Sequence, residues 1–463
     1  MQDSDKKKHT HTESAESVKS SSEAKERVIR ADSDLYGDEV EINLRARKKS
    51  VSAKKKKKKK RSSSNRPSLL KRIDLLTEPR HFRKRRTLFE TLSASRDAEG
   101  YFKPITIWGK EIRFWPLILL MIIFLVIAVI FMNNNNVRVA EERVTIVGLH
   151  PDLENYKILV ISDLHGRRFG DEQSSLLRTI GNLNYNAVFF TGDMIGADGD
   201  PEPFYELLEG IPSSKKVFFI CGDSDPGPFV KVPRAISDTL TNIVLEDWIL
   251  GAIERGATYV DAPVTLTIGD ATVWITPYTL TNYQSSELLE TWKGQTQQEE
   301  EGLLAGLESD YQNYPFTSYR YRIAQKLYDS IAVMSDDDLY ISMAHEPPTD
   351  NFVYSVASHK NDPGKYLHEP ELLLAGHYCG GVWRLPLLGA FYVPDDMLPR
   401  NGWFPSQGKV NGLSTIGESQ LYVTGGLSTN PDTPLLFFRL GNQPEISLLT
   451  LSATLPESML TIE

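Results

Sequence analysis

The sequence predicts an α/β protein: a layered domain of sheets and helices preceded by a basic tail and one membrane-spanning helix. Three observations predict it. From residue 133 onward, short apolar runs rich in Val, Ile and Phe alternate with polar, helix-compatible stretches, the pattern of βαβ units. Five of those runs end in Asp, His or Cys. A long uncharged segment separates a basic head from an acidic body.

That segment, Phe114 to Met132, is nineteen residues without a charge, FWPLILLMIIFLVIAVIFM. As a helix it would rise roughly 28 Å, enough for the hydrocarbon core of a bilayer. Pro116 falls in the first turn, where its missing N–H costs little. Trp108 and Trp115, with Lys110 and Arg113 beside them, stand where interfacial anchors are expected. A buried core helix is the alternative, but this run is apolar all round. Asn133 to Asn136 follow it instead of a small-residue cleavage site, so an anchor is expected and not a cleaved signal.

Charge gives the orientation. Residues 1–113 carry 31 Lys+Arg against 17 Asp+Glu, and the rest of the chain 21 against 44, for an overall −9. The positive-inside rule places the tail in the cytoplasm and residues 133–463 on the other side, as a single-pass protein with an extracytoplasmic domain. Residues 1 to about 68 are rich in Ser, Lys and Glu and read as disordered. Lys54 to Lys60 and Arg61 form a block of like charge, ordinarily a solvated tail. Attraction to anionic membrane lipid is the next reading, at about 1 kcal/mol per charge near the surface. Aromatic residues do not interleave with these charges, so nucleic acid is not an expected partner. The sequence leaves the oligomeric state open.

Within the body, residues 284–330 hold two polar, helix-like stretches between core strands and read as an insertion. The chemistry lies at the ends of the apolar runs. KILVIS leads to Asp163 and His165, AVFFTG to Asp193, KVFFICG to Asp223, LYISMA to His345, and ELLLAG to His377 and Cys379. In open α/β sheets, ligands bind beyond the carboxyl ends of strands, where such side chains can converge. A lone Asp after a strand is ordinarily a turn former or helix cap. Five strand ends carrying only Asp, His and Cys point instead to metal.

Asp163-Leu164-His165, Gly192-Asp193 and the order of the later motifs resemble the calcineurin-like metallophosphoesterases, most nearly their bacterial membrane-associated branch. VTIVGL before the first motif, Gly380-Gly381 after the last, and PEISLLTL at 444–451 add to the likeness. The resemblance implies a two-sheet sandwich flanked by helices, with two divalent ions (Mn, Fe or Zn) at the strand ends. One ion would take Asp163, His165, Asp193 and Cys379. The other would take Asp193, Asp223, His345 and His377. Together they would hold a hydroxide as nucleophile against a phosphate-containing substrate, an ester or a pyrophosphate.

The sequence departs from the family at three positions. The third motif is Gly222-Asp223-Ser224-Asp225 where the family has Gly-Asn-His-Asp or Gly-Asn-His-Glu. The last is Gly376-His377-Tyr378-Cys379 where the family has Gly-His-x-His. Asp223 keeps an oxygen ligand and adds charge. Cys379 exchanges imidazole for a thiolate, which favours zinc or iron. Ser224 replaces the histidine that contacts phosphate and protonates the leaving group, a loss that typically costs about 10²–10⁴-fold in rate. Asp193, Ser224 and Asp225 are thus the expected catalytic positions. The leading expectation is an active phosphoesterase; a catalytically impaired module that senses a ligand, and a scaffold for membrane partners, are the alternatives. The two cysteines, Cys221 and Cys379, are too few for a disulfide framework, with one bridge between them as the remaining option.

Overall fold

The structure, a computed structural model, describes residues 105–453 apart from 108–109, 113, 197–198, 236–241, 360–363, 386, 394–401 and 430–438. The tail expected to be disordered lies, up to residue 104, outside the described residues. The chain divides between Ile127 and Ala128 into two units.

In the first unit, β1 (Ile105–Ile107) pairs antiparallel with β2 (Lys110–Ile112), and α1 (Phe114–Asn135) follows and runs on past the division. The whole uncharged run is helical. Large apolar side chains from Ile118 to Phe131 stand exposed along it, Phe124 and Phe131 at 70%. Among the described residues no helix is long and apolar enough to cross a membrane. The side chains of Phe114 to Leu117, Val126, Val129 and Met132 fall outside those described, which interrupts the run, so the expected span stands on the sequence.

The second unit holds, in chain order, β3 (Arg138–Thr145), β4 (Lys157–Ile161), α2 (Ser174–Gly181), β5 (Ala187–Phe190), α3 (Glu202–Glu209), β6 (Lys216–Phe219), β7 (Phe229–Ala235), β8 (Asn242–Leu245), α4 (Asp247–Glu254) and β9 (Thr258–Tyr259). It continues with β10 (Val264–Ile268), β11 (Ala271–Pro277), α5 (Ser285–Leu304), α6 (Glu308–Ile331), β12 (Leu339–Met343), α7 (Asp350–Ser358) and β13 (Leu372–Ala375). Last come β14 (Trp383–Leu385), β15 (Gly389–Tyr392), α8 (Gln407–Val410), β16 (Gly412–Ile416), β17 (Ser419–Val423) and β18 (Glu445–Ser452).

Two six-stranded sheets result, in the orders β3-β18-β4-β5-β6-β9 and β10-β11-β12-β13-β17-β16. Strands β4, β5 and β6 run parallel, as do β11, β12, β13 and β17. The period-2 alternation of side chains gives each sheet two buried faces. Ile158, Val160, Phe189 and Phe218 meet Ile275, Ile341, Met343 and Leu374 between the sheets. Leu159, Ile161, Val188 and Phe219 turn the other way, onto Leu176, Phe204 and Trp248 of the helices. Leu373, Ala375, Leu421 and Val423 do the same on the second sheet, against Val353 and Val356 of α7. Burial on both faces is why these strands read as unbroken apolar runs.

The expected insertion at 284–330 is the hairpin of α5 and α6, and it lies between parallel neighbours β11 and β12. Parallel strands require a crossover, so the hairpin is the connection of a core pair. Its Tyr319 packs edge-on to Phe229 and donates a hydrogen bond to Asp261, and Arg320 lies over the Phe229 and Trp292 rings. One expected strand shifts. Only Val144 and Thr145 of VTIVGL belong to β3, which begins at Arg138 and pairs along its whole length with β18. An edge strand reading RVAEERVT is too charged to stand out as a strand.

Candidate metal centre

The residues just beyond β4, β5, β6, β12 and β13 are the candidate ligands, and the two sheets bring them together at one end. Ligand atoms of Asp193, Asp223, His345 and His377 lie within 4.8 Å of one another, and so do those of Asp163, His165 and Cys379. Each group is of a kind that can hold a metal ion. His345 Nε2 is 2.9 Å from Asp223 Oδ1 and 3.1 Å from Asp193 Oδ2. His377 Nδ1 is 3.3 Å from Asp223 Oδ1. His165 Nε2 is 3.6 Å from the same Asp193 oxygen that faces His345. Cys379 Sγ is 3.6 Å from Asp163 Oδ1. Asp193 therefore stands between the two groups.

The backbone is bent to achieve this. Asp163, His165, Asp193, His377 and Cys379 have φ of 56°, 48°, 55°, 70° and 49°. This left-handed region is sparsely used by residues with a side chain, and each such residue costs on the order of 1–3 kcal/mol. Neighbouring loops hold the conformation. The Asp163 N–H donates to Gly192 O at 3.1 Å, the His165 N–H to Asp193 O at 2.9 Å, and the Ser428 N–H to Asp163 O at 2.7 Å. Gly192 is obligatory here, because its φ is 98° and a Cβ on it would lie 2.6 Å from His345 Nδ1 and 2.8 Å from the Gly222 backbone.

The electrostatics are those of a cation site. Burial raises the cost of charge on Asp193 and Asp223. For Asp193 the charge and hydrogen bond of His345 outweigh it, aided by His165, and for Asp223 the hydrogen bonds and charges of His345 and His377 do so; both carboxyls end below their usual range. Burial likewise opposes charge on the histidines. Asp193 and Asp223 overcome it at His345, and Asp223 at His377, so both imidazoles sit above their ordinary range. Burial and the Asp163 charge push the Cys379 thiol up. His345 Nδ1 is 2.8 Å from Thr191 O, a carbonyl that can only accept. That fixes the proton on Nδ1 and leaves Nε2 for a metal. Asp163 Oδ2 and both ring nitrogens of His165 are buried with no hydrogen-bond partner. Orphaned polar atoms of this kind are costly unless something outside the chain satisfies them. The residues fit divalent ions.

The remaining expected positions fall around this cluster. The Ser224 backbone N–H donates to Asp193 Oδ1 at 2.8 Å, so Ser224 lies against the shared carboxylate. Asp225 is buried and engaged with the backbone: it accepts N–H bonds from Ile195 at 2.7 Å, Gly222 at 2.8 Å and Gly196 at 3.4 Å. Burial and the Asp193 charge raise its pKa. Just past the first motif, outside the positions named from the sequence, Arg167 donates to the Asn134 carbonyl at 2.6 Å and Arg168 to Glu206 at 2.9 Å. Cys221 and Cys379 are both free thiols, with Cys221 Sγ 3.5 Å from the Tyr259 hydroxyl.

Sequence reasoning missed Arg439. This guanidinium is buried and donates to the carbonyls of Gly426 at 2.7 Å, Ser428 at 3.1 Å, Cys379 at 2.8 Å and Gly425. Asn442 donates to the Cys379 carbonyl as well, at 2.9 Å. Together they fix the turn that carries the thiol. The only signal was a charge closing the apolar run LLFF at 435–438.

Comparison with known proteins agrees with this geometry. A family model described as calcineurin-like phosphoesterase matches residues 156–380, an interval that contains every candidate ligand. Phosphodiesterase YaeI of Escherichia coli strain K12 is 30% identical over 118 residues, which is 25% of this chain and 38% of that protein. The match thus spans well under half of that relative. The crystal structure of phosphopantetheinyl hydrolase from Mycobacterium tuberculosis overlaps 62% of this chain and 96% of that one at 13% identity and a TM-score of 0.29, and nothing is carried over from it. Residues 156–380 thus match the calcineurin-like phosphoesterase family, and the geometry of the ligand groups within them agrees with that match.

Proposed function

We propose that this protein is a membrane-anchored, metal-dependent phosphoesterase that hydrolyses a phosphate ester or pyrophosphate on the extracytoplasmic side. The carrying observation is the position of Asp193. Its Oδ2 faces His345 Nε2 at 3.1 Å and His165 Nε2 at 3.6 Å, so one carboxylate oxygen serves both ligand groups. Asp163, His165, Cys379 and Asp193 would hold one ion, and Asp193, Asp223, His345 and His377 the other. When bound there, a pair of divalent ions would supply a nucleophilic water near neutral pH and neutralise charge on the phosphate oxygens. The thiol of Cys379 favours zinc or iron over magnesium.

The chain's own residues supply the rest. Buried backbone bonds and the left-handed turns fix the ligands before a substrate arrives, which spares reorganisation during the reaction. The side chain of Asp223 is 37% exposed and marks the open side of the cluster. Ser224 offers a hydroxyl but no proton of suitable acidity, so aryl esters and pyrophosphates, whose leaving groups need no acid, suit the site best. Membrane attachment is supported by the uncharged run Phe114–Met132 and by the exposure of its side chains from Ile118 to Phe131.

The test is elemental analysis of the purified full chain, followed by hydrolysis assays on aryl phosphodiesters and monoesters after metal reconstitution. Protein that takes up no metal and shows no turnover would refute the reading. Ser224 favours a second one, a phosphoesterase fold that binds a phosphate ligand without converting it. Tight binding of inorganic phosphate by metal-loaded protein that turns over none of these substrates would select it.

A further inference from the structure

The antiparallel hairpin of β14 and β15 leaves the chain just after the Gly380-Gly381 pair, beside the Cys379 turn. Its tip is apolar and bare. Leu385, Leu387 and Leu388 are exposed, Leu387 completely, and Trp403 and Phe404 lie exposed alongside. Leu387 and Phe404 have φ of 68° and 52°. Large apolar residues rarely adopt this conformation. Among the described residues, most other side chains held this way are the candidate metal ligands. Here the same strained geometry turns apolar side chains toward solvent.

The base of the hairpin is stiff. Trp403 packs on Tyr392 with ring centroids 4.6 Å apart, Phe391 packs on Trp383 at 5.8 Å, and the Phe404 N–H donates to Phe391 O at 2.9 Å. It is also joined to the end of α1. The Arg384 N–H donates to Leu440 O at 2.8 Å. The adjoining Arg439 exchanges two 2.9 Å hydrogen bonds with the Asn134 carboxamide, its N–H donating to Oδ1 and its carbonyl accepting from Nδ2. Asn134 stands two residues beyond the uncharged run.

We propose that this hairpin is an interfacial membrane contact. Leu385, Leu387, Leu388 and Phe404 enter the boundary between headgroups and acyl chains, and Trp383, Tyr392 and Trp403 sit at headgroup level, where Trp and Tyr concentrate. The occupant is the bilayer and not a protein, because the hairpin base is bonded to the residue that follows the membrane-spanning run. The metal centre then opens beside the headgroups, and its substrates are phosphate esters of lipid headgroups in that leaflet. The inference rests on the membrane-anchored reading and gives it a substrate class.

The test uses the full chain reconstituted into vesicles of phosphatidylcholine and phosphatidylglycerol. An environment-sensitive fluorescent amino acid replaces Leu387 or, separately, Val333, which is exposed elsewhere on the domain. The probe at 387 should shift to the blue and be quenched by nitroxide-bearing lipid, and the probe at 333 should do neither. Equal responses at the two positions would overturn the proposal. Alkaline extraction reports the helix separately: release of the chain sinks the anchor, whereas a retained chain with an unquenched probe at 387 sinks the hairpin contact alone. Leu387→Asp with Leu388→Asp should lower hydrolysis of a vesicle-borne headgroup phosphodiester by about tenfold, equivalent to about 1.4 kcal/mol. Hydrolysis of a soluble aryl phosphodiester should stay unchanged. Equal loss on both substrates, or loss on neither, would refute the lipid substrate class.

Discussion

Replacing Asp193 with Asn keeps the side-chain volume and removes the one charge that faces both His165 and His345. Even partners outside a metal's own ligands cost about 10–100-fold in affinity when lost, so Asp193→Asn should weaken metal uptake by at least that factor, read by titration with zinc. Ser224→His restores a proton donor next to the Asp193 carboxylate. It should speed hydrolysis of alkyl phosphodiesters by up to about 10²–10⁴-fold and change aryl substrates little, as steady-state kcat on the two would show. The titrating groups set a third expectation. With metal removed, the raised His345 and His377 contribute stability that is complete below about pH 6.5 and is lost as pH rises through their folded values. The depressed Asp193 and Asp223 contribute stability above about pH 4 that is lost only on further acidification. Chelated protein should therefore gain its largest share of stability from this cluster between those limits. Denaturation midpoints of chelated protein that rise steadily from pH 6 to 9 would contradict it.

At the scale of elements, Asp225 belongs to the loops more than to the chemistry. It ties the turn after β5 to the turn after β6 through three backbone N–H groups. Asp225→Ala would leave buried donors unmade, at about 1–3 kcal/mol each. A loss of about 2–5 kcal/mol in urea unfolding, with metal affinity falling in parallel, is expected; an unaltered unfolding midpoint would mean that water replaces the carboxylate. The five core strands and the Asp, His and Cys residues that follow them as candidate ligands were legible because both faces of each strand are buried and each run ends in a residue type that burial does not otherwise explain. β3 was legible only in part, since an edge strand pairs on one side and keeps its charges outward. The packing of Tyr319 and Arg320 was illegible because a sequence shows their chemistry but not the Phe229 and Trp292 rings that hold them. Arg439 was illegible for a related reason: its four carbonyl partners come from turns at 379 and 425–428, and backbone acceptors have no sequence signature.

At the scale of the whole molecule, the uncharged run can be tested directly. An arginine at the centre of a spanning helix costs about 2.5–3.5 kcal/mol on insertion scales. Ile123→Arg combined with Phe124→Arg should move the protein from the membrane pellet to the alkaline supernatant, and an unshifted distribution would show that the helix is not what retains it. The Asn134–Arg439 bonds have a further consequence for a chain held in this way. Only Asn133 separates the apolar run from Asn134, which is fastened through Arg439 to the turn that carries Cys379. Under the proposed anchoring, so short a link is no flexible tether, where ten flexible residues would let a domain roam by about 17 Å, and an anchored phosphoesterase would search for its substrate in two dimensions.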